Sequence, residues 1–224
     1  MTDEELEELV ADCPTLYHMA ERGSWESIKE RGLLSTSALL DLYKISGSER
    51  SLIERRHRPK SVEIKADGLA TAVIRDQIPM SGSGLVRCLP ARLTPEDWYL
   101  ILNAKAFFWL TEDRLHRLTG ANAYRDREHD VLEIDTRSLV QAHRQRIWLC
   151  PINSGCTKPM PHPRDEATFA RIDTYPYTGW RKRRPKGERV VELAVDYSVP
   201  DIRDHVRRII AKKGTEITAV IMQK

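Results

Sequence analysis

The chain has 224 residues, 41% of them hydrophobic, which is enough for one domain with a substantial core. Its formal net charge is only +3, but the charge is unevenly distributed. The first twelve residues hold six acids and no base, so the remainder carries about +9, which favours polyanionic partners. No apolar run approaches the roughly 20 residues of a membrane span, and the acidic start is unlike a secretory signal. We therefore expect a soluble, cytoplasmic protein with no membrane partner.

Widespread catalytic and metal-binding motifs are missing. The four cysteines form no C-x-x-C pair, so we expect no zinc ribbon or finger, and no other metal site is indicated. Gly82 and Gly84 form a G-x-G without the third glycine of a dinucleotide-binding turn. The P-loop, zinc-protease and serine-hydrolase signatures are also absent. The function has to be inferred from less common patterns.

In the first half of the chain, apolar spacing and turn residues predict short elements. Capping residues and prolines set several of their ends; for example, Thr94 and Pro95 begin a helix. In chain order the predictions are an acidic helix within 1–13, a strand over 15–19, helices over 25–31 and 37–44, a basic segment over 49–60, strands over 61–64 and 71–75, a loop over 78–84, a helix over 94–104 and a strand over 106–110.

The second half is also predicted to consist of short elements, and it contains the most basic run of the chain. The predictions are a helix over 111–120, a strand over 130–135, a short helix after Thr136, a strand over 147–150, a loop over 151–164, a basic run over 181–189, a strand over 190–195, an amphipathic helix over 200–213 and a strand over 216–222. Because strands and helices do not alternate strictly, the pattern favours an α+β fold over a doubly wound sheet. No linker divides the chain, so residues 1–224 are expected to form a single domain.

Glu192 is the most informative single residue. It interrupts an otherwise apolar strand directly after the basic run. If that strand face is buried, the carboxylate must be paired or must serve a site.

Three patterns occur in a fixed order along the chain. The first is Tyr17-His18, followed at helical distance by Ile28 and by Gly32-Leu33. The second is an aromatic strand, Phe107-Phe108-Trp109-Leu110, and the third is Glu192 followed by Val199-Pro200. Together they resemble the ADP-ribosyltransferase superfamily, and within it the DNA-targeting toxins of the DarT type. The resemblance spans roughly residues 15–205 and implies an ADP-ribosyltransferase-like arrangement of split antiparallel sheets with peripheral helices.

This resemblance implies an enzyme that uses NAD as a substrate, with Glu192 as its catalytic carboxylate. Glu192 would hold the nicotinamide-side ribose or activate the nucleophile, which suits the oxocarbenium-like state of glycosidic cleavage. His18 would hydrogen-bond the adenosine ribose, while Gly32 and Leu33 would let the backbone approach the nicotinamide.

Further residues are implied around the same ligand. Phe108 or Trp109 would stack on the nicotinamide ring, and either Arg75 or Arg56 would face the pyrophosphate, because a guanidinium suits phosphate. Asn153 begins a Gly- and Ser-containing loop that could also bind a phosphate or ribose as a small anion nest, or could be an ordinary turn.

The acceptor is expected to be a nucleic acid. Proteins of this superfamily that modify arginine carry a second acid two residues before the catalytic one, and Val190 stands there instead. The basic run begins with Arg181, Lys182, Arg183 and Arg184, and such a segment favours DNA or RNA through phosphate neutralisation. The likeness to toxins also implies an antitoxin partner.

Simpler interpretations stay open. His18 can be a half-buried histidine whose hydrogen bonds are made within the fold. The aromatic strand can be part of the core, and the basic run can be a solvated loop. Two other functions fit parts of the pattern: an NAD-dependent RNA 2′-phosphotransferase, and a non-enzymatic nucleic-acid-binding module that uses the clusters at 50–60 and 181–189. NAD binding distinguishes the module from both enzymes.

Overall fold

The computed structural model describes residues 1–224 as short strands and short helices. The strands are β1 Thr15–Glu21, β2 Leu33–Leu34, β3 Val62–Ile64, β4 Ala72–Ile74, β5 Lys105–Trp109, β6 Glu128–Asp135, β7 Ile147–Cys150, β8 Ala170–Arg171, β9 Glu192–Asp196, β10 Ser198–Val199, β11 Val206–Lys213 and β12 Glu216–Gln223. The helices are α1 Asp3–Asp12, α2 Trp25–Arg31, α3 Thr36–Leu42, α4 Gly47–Glu54, α5 Gly82–Cys88, α6 Pro95–Asn103, α7 Glu112–Thr119, α8 Thr136–His143, α9 Tyr177–Arg181 and α10 Ile202–His205. No helix has the length and apolarity that crossing a membrane requires.

One large sheet organises the chain. Its eight strands lie in the order β12-β11-β6-β1-β5-β9-β7-β8, and every neighbouring pair is antiparallel. Two small antiparallel sheets, β10-β2 and β3-β4, lie outside it. The chain is therefore a mixed α and β protein with antiparallel sheets, as the sequence predicts at that level.

The centre of the large sheet is loosely joined. β1 pairs with β6 along its whole length, from Thr15 opposite Asp135 to Glu21 opposite His129. On its other side β1 shares a single registered pair with β5, Tyr17 opposite Trp109. The last part of β1 therefore has no backbone partner on the β5 side, and a cavity opens there.

The two faces of the sheet carry different apolar clusters. Successive strand residues point to opposite faces, so Phe108 belongs to the main core and Phe107 packs against a second cluster around Met80 and Trp98. A third cluster lies among α3, α4 and the β3-β4 hairpin. The first two clusters hold β5 and β9 beside the cavity.

The predicted helix over 200–213 is wrong, because most of this segment is β11. Val206 and Ile209 lie three residues apart, which imitates a helical face. The register against β6 shifts between Val206 and Arg208, so a bulge turns Val206 and Ile209 to the same face of a strand. The segment lies between two strands, and residues 209–212 are buried.

Two further segments differ from the prediction. The loop over 78–84 gives way to α5 at Gly82, where the Ser81 side chain accepts a hydrogen bond from the Gly84 amide. The basic segment over 49–60 contains the C-terminal part of α4, whose Ile53 is buried. The serine and glycine residues at the start of α5 are typical of loops, so the sequence did not predict this helix. Its Leu85 packs into the second cluster.

Candidate functional site

A cavity of about 600 Å³ opens where β1 and β5 diverge. This volume is within the range of small-molecule and cofactor sites. Several of the site residues predicted from the sequence line it: His18, Gly32, Leu33, Arg75, Phe108, Trp109, Asn153 and Glu192. Arg56 and the basic residues Arg181, Lys182, Arg183 and Arg184 do not line it.

Glu192 is the first residue of β9 and is only 4% exposed. Both of its carboxylate oxygens accept a hydrogen bond from the Ser154 amide, at 3.1 and 3.2 Å. Burial raises the pKa of Glu192 to about 7, although the hydrogen bonds from Ser154 and the charges of Arg114 and Arg164 act in the opposite direction. A carboxyl group that titrates near neutrality can act as a general acid or base.

The loop that begins at Asn153 contacts a carboxyl group of the protein itself. Its Ser154 amide points at the Glu192 carboxylate, while Asn153 lines the adjoining part of the cavity. Ser154 thus binds a carboxyl group of the protein itself, and the phosphate or ribose contact expected of this loop stays a prediction.

His18 lies across the cavity on β1. Its Nδ1 lies 2.8 Å from the Phe107 carbonyl oxygen, which can only accept, so Nδ1 carries the proton and Nε2 is left as an acceptor. Burial lowers the pKa of His18 to about 4, more than the Phe107 contact raises it, and Arg75 lowers it further. A neutral His18 at pH 7 can accept a hydrogen bond from a hydroxyl group.

Arg75 lines the cavity and has one guanidinium nitrogen without a hydrogen-bond partner. Its Nη1 contacts the Ala20 carbonyl at 3.2 Å, the Glu21 carboxylate at 3.3 Å and His129 Nδ1 at 3.1 Å. Its Nη2 is buried and has no hydrogen-bond partner. A buried guanidinium nitrogen without a partner is costly, and an anionic ligand would satisfy it.

The structure separates the two arginines that the sequence left as alternatives. Arg56 is exposed and lies outside the cavity lining. Arg58, two residues later, does line the cavity, but its guanidinium already donates to Ile53, Asn103 and the Arg75 carbonyl. Only Arg75 among the three combines a place on the cavity with a free donor.

The two candidate aromatic residues have different surroundings. Phe108 is 1% exposed and belongs to the main core, with its ring centroid 5.8 Å from that of His18. Trp109 is partly exposed and stands directly opposite Glu192 in the β5-β9 pairing. Trp109 is the better placed of the two to contact a ring bound beside Glu192.

The backbone conformation and the close packing at residue 32 require a glycine. Its φ of +84° favours glycine, and a Cβ there would lie 2.5 Å from Pro200 Cα and 2.8 Å from the Val199 carbonyl oxygen. This close approach lets β2, which begins at Leu33, pair with β10. The glycine therefore shapes the cavity wall by joining the segment after β9 to the segment after α2.

The acidic helix α1 neutralises much of the basic run. Glu8 pairs with Arg181 and Arg189, and Asp12 pairs with Lys186 and Arg189. Among the remaining bases, Arg184 donates to the Pro151 and Glu188 carbonyls and lies over the Trp180 ring. Lys182 and Arg183 are exposed and make no ion pair, so fewer positive charges are free than the sequence suggests.

Two further arginines act on Glu192, one half-buried and one buried. Arg114 on α7 and Arg164 in the proline-rich loop both lower the pKa of Glu192. Neither lies in a motif, and their only sequence signals were the neighbouring aromatic strand and the prolines around 161–163.

One cluster outside the cavity has potential metal ligands. The ligating atoms of His143, Asp201 and His205 lie within 4.8 Å of one another. Arg146 donates to Nδ1 of His143 at 2.7 Å, so Nε2 of this ring carries the proton and donates to Asp201 at 2.7 Å. A protonated nitrogen does not bind a metal, so the cluster fits a hydrogen-bonded contact between α8 and α10.

Comparison with known proteins gives a family but no activity. No curated protein matches the chain. The model of a family of unknown function, DUF7002, matches residues 14–206, which include the cavity residues from β1 to β9. The chain therefore belongs to the DUF7002 family.

Proposed function

We propose that the chain is an NAD-dependent ADP-ribosyltransferase with an ADP-ribosyltransferase-like fold, and that it modifies a nucleic acid. One observation carries the proposal: the cavity at the divergence of β1 and β5 is lined by His18, Arg75 and Glu192 together. These residues are far apart in the chain, and the resemblance to ADP-ribosyltransferases implies a shared site for them.

Each side chain has a role that its surroundings suit. The unpaired Nη2 of Arg75 binds the pyrophosphate, and Nε2 of His18 accepts from a ribose hydroxyl. Glu192 stabilises the positive charge that develops as the bond between the ribose C1′ and the nicotinamide nitrogen breaks, with its electron pair leaving on nicotinamide. An acceptor atom then bonds to C1′, and ionised Glu192 takes the proton that the acceptor loses.

The acceptor class follows from charge. Lys182 and Arg183 are exposed and unpaired in the segment that leads into β9 and Glu192. Free cations close in sequence to the catalytic carboxylate favour a polyanionic acceptor. We propose DNA or RNA rather than a protein.

The test offers labelled NAD to the protein with single-stranded DNA, RNA or a protein mixture. Transfer of label to DNA or RNA is the expected result. Removal of a 2′-phosphate from RNA without stable labelling would instead support the phosphotransferase. Salt-sensitive nucleic-acid binding without an NAD-induced rise in melting temperature would support the non-enzymatic module.

The choice of Arg75 over Arg56 predicts different affinities for NAD. Arg75→Lys keeps the charge but loses the planar fork, and we expect about 10-fold weaker NAD binding or more, because hydrogen bonds to charged groups contribute about 1.5–3 kcal/mol. Arg56→Lys makes the same change outside the cavity and should bind NAD like the wild type. Calorimetric titration measures both, and equal affinities would remove Arg75 from the site.

A further inference from the structure

Arg164 is a buried cation with no carboxylate partner. It is 2% exposed and forms no ion pair. Its guanidinium instead donates to the carbonyl oxygens of Asn153 at 3.1 Å, Cys156 and His162 at 3.2 Å, and to Cys88 Sγ at 3.0 Å. Burying a charge without a carboxylate partner is costly for folding, and these hydrogen bonds offset part of that cost.

Two of the contacts of Arg164 are to the turn of residues 153–157, which also contacts Glu192. Asn153 and Cys156, whose carbonyls Arg164 holds, are on either side of Ser154, and the Ser154 amide donates to the Glu192 carboxylate. The guanidinium also lies over the ring of Trp98, whose indole nitrogen is 3.4 Å from the Ser154 carbonyl.

The far end of the turn has a separate attachment. Thr157 Oγ1 accepts from the Ser81 amide at 2.6 Å, and the Thr157 amide donates to Pro79 at 3.2 Å. Thr157 therefore ties the turn to the segment before α5, while Arg164 fixes the backbone around Ser154. Nη2 of Arg164 holds the Asn153 and Cys156 carbonyls while Nη1 holds the His162 carbonyl and Cys88 Sγ, and a lysine cannot make these contacts at once in a fixed geometry.

We propose that Arg164 is a positioning residue, which holds the turn of residues 153–157 so that the Ser154 amide donates to the Glu192 carboxylate. Its importance for catalysis rests on the proposed function, but its effect on Glu192 does not. Without Arg164 the turn loses two of its tethers, and the carboxylate loses the hydrogen bond that favours its charged form. Loss of the nearby positive charge acts in the same direction, so Glu192 should ionise at higher pH.

The experiment follows the Glu192 carboxyl carbon by NMR in glutamate-labelled protein without NAD. Glu192→Gln identifies its signal. We expect the titration midpoint to rise by about one unit in Arg164→Lys and by more in Arg164→Met, since lysine keeps the charge. Arg137→Met is the matched control, because Arg137 is exposed and pairs with Glu7 of α1, away from the turn; its midpoint should equal that of the wild type.

An unshifted midpoint in folded Arg164→Lys overturns the proposal. Should Arg164→Met fail to fold, Arg164→Lys decides the question, because it keeps both the buried charge and most of the volume. In the wild type, the Ser154 amide resonance should titrate together with Glu192, and an amide resonance that does not would also overturn it. If the protein consumes NAD, the acid limb of its kcat profile should move to higher pH in Arg164→Lys.

The two proposals fail separately. A protein that consumes no NAD but shows the shifted midpoint loses the proposed function and keeps the positioning role. A protein that transfers ADP-ribose with an unshifted midpoint keeps the function and loses the positioning role.

Discussion

Replacement of Glu192 by Gln is expected to reduce NAD consumption and ADP-ribosyl transfer by roughly 10²- to 10⁴-fold. Glutamine has nearly the same shape but cannot stabilise a developing positive charge or accept a proton from the acceptor. NAD affinity should change little, because the proposed pyrophosphate and ribose contacts of Arg75 and His18 are retained. Labelled nicotinamide release measures consumption, and thermal shift with NAD measures binding.

The control for this change is Glu96→Gln, an exposed glutamate on α6 outside the cavity. It should consume NAD at the wild-type rate. If Glu192→Gln were as active as this control, Glu192 would not be the catalytic carboxylate.

Glu192→Gln should not be less stable than the wild type at neutral pH. Burial raises the folded-state pKa of Glu192 from 4.5 to about 7, so the folded protein retains a proton that the unfolded chain releases. Stability is therefore lost as pH rises from about 4.5 to about 7 and stays lower above it, by on the order of 3 kcal/mol. Glutamine does not ionise, so above pH 7 Glu192→Gln should unfold at higher denaturant concentration than the wild type, and below pH 4 the two should converge.

Replacement of Gly32 by Ala is expected to be the most destabilising small change, by about 3 kcal/mol or more. The new Cβ would meet Pro200 Cα at 2.5 Å and the Val199 carbonyl oxygen at 2.8 Å, and both are backbone atoms that cannot move without breaking the β2-β10 pairing. The positive φ of +84° adds roughly 1–2 kcal/mol. Urea unfolding followed by circular dichroism measures the loss.

Gly23→Ala is the matched control for Gly32→Ala. Gly23 has nearly the same φ, +82°, but nothing lies within 4 Å of a Cβ added there. It should lose only the conformational part, about 1–2 kcal/mol. Equal losses in the two variants would show that the approach of Val199 and Pro200 does not constrain residue 32.

Local signals determined most of the elements around the cavity. Thr94 caps α6, Pro95 occupies its first turn, and the apolar run after it forms β5, each close to its predicted bounds. Such features are encoded within a few neighbouring residues, because caps and strand patterns depend on local backbone chemistry. The sequence also singled out His18 and Glu192, and both line the cavity.

Long-range packing decided what the sequence left open or got wrong. A bulge, invisible in sequence, converted the helix-like spacing of Val206 and Ile209 into a strand. The acids of α1 pair with bases nearly 180 residues away, which changes the charge available to a partner. The sequence by itself thus determined the local elements and the types of residue at the candidate site. Only the tertiary structure placed Arg75 on the cavity, left Arg56 outside it and brought Arg164 to the turn that contacts Glu192, because these contacts depend on how distant segments pack.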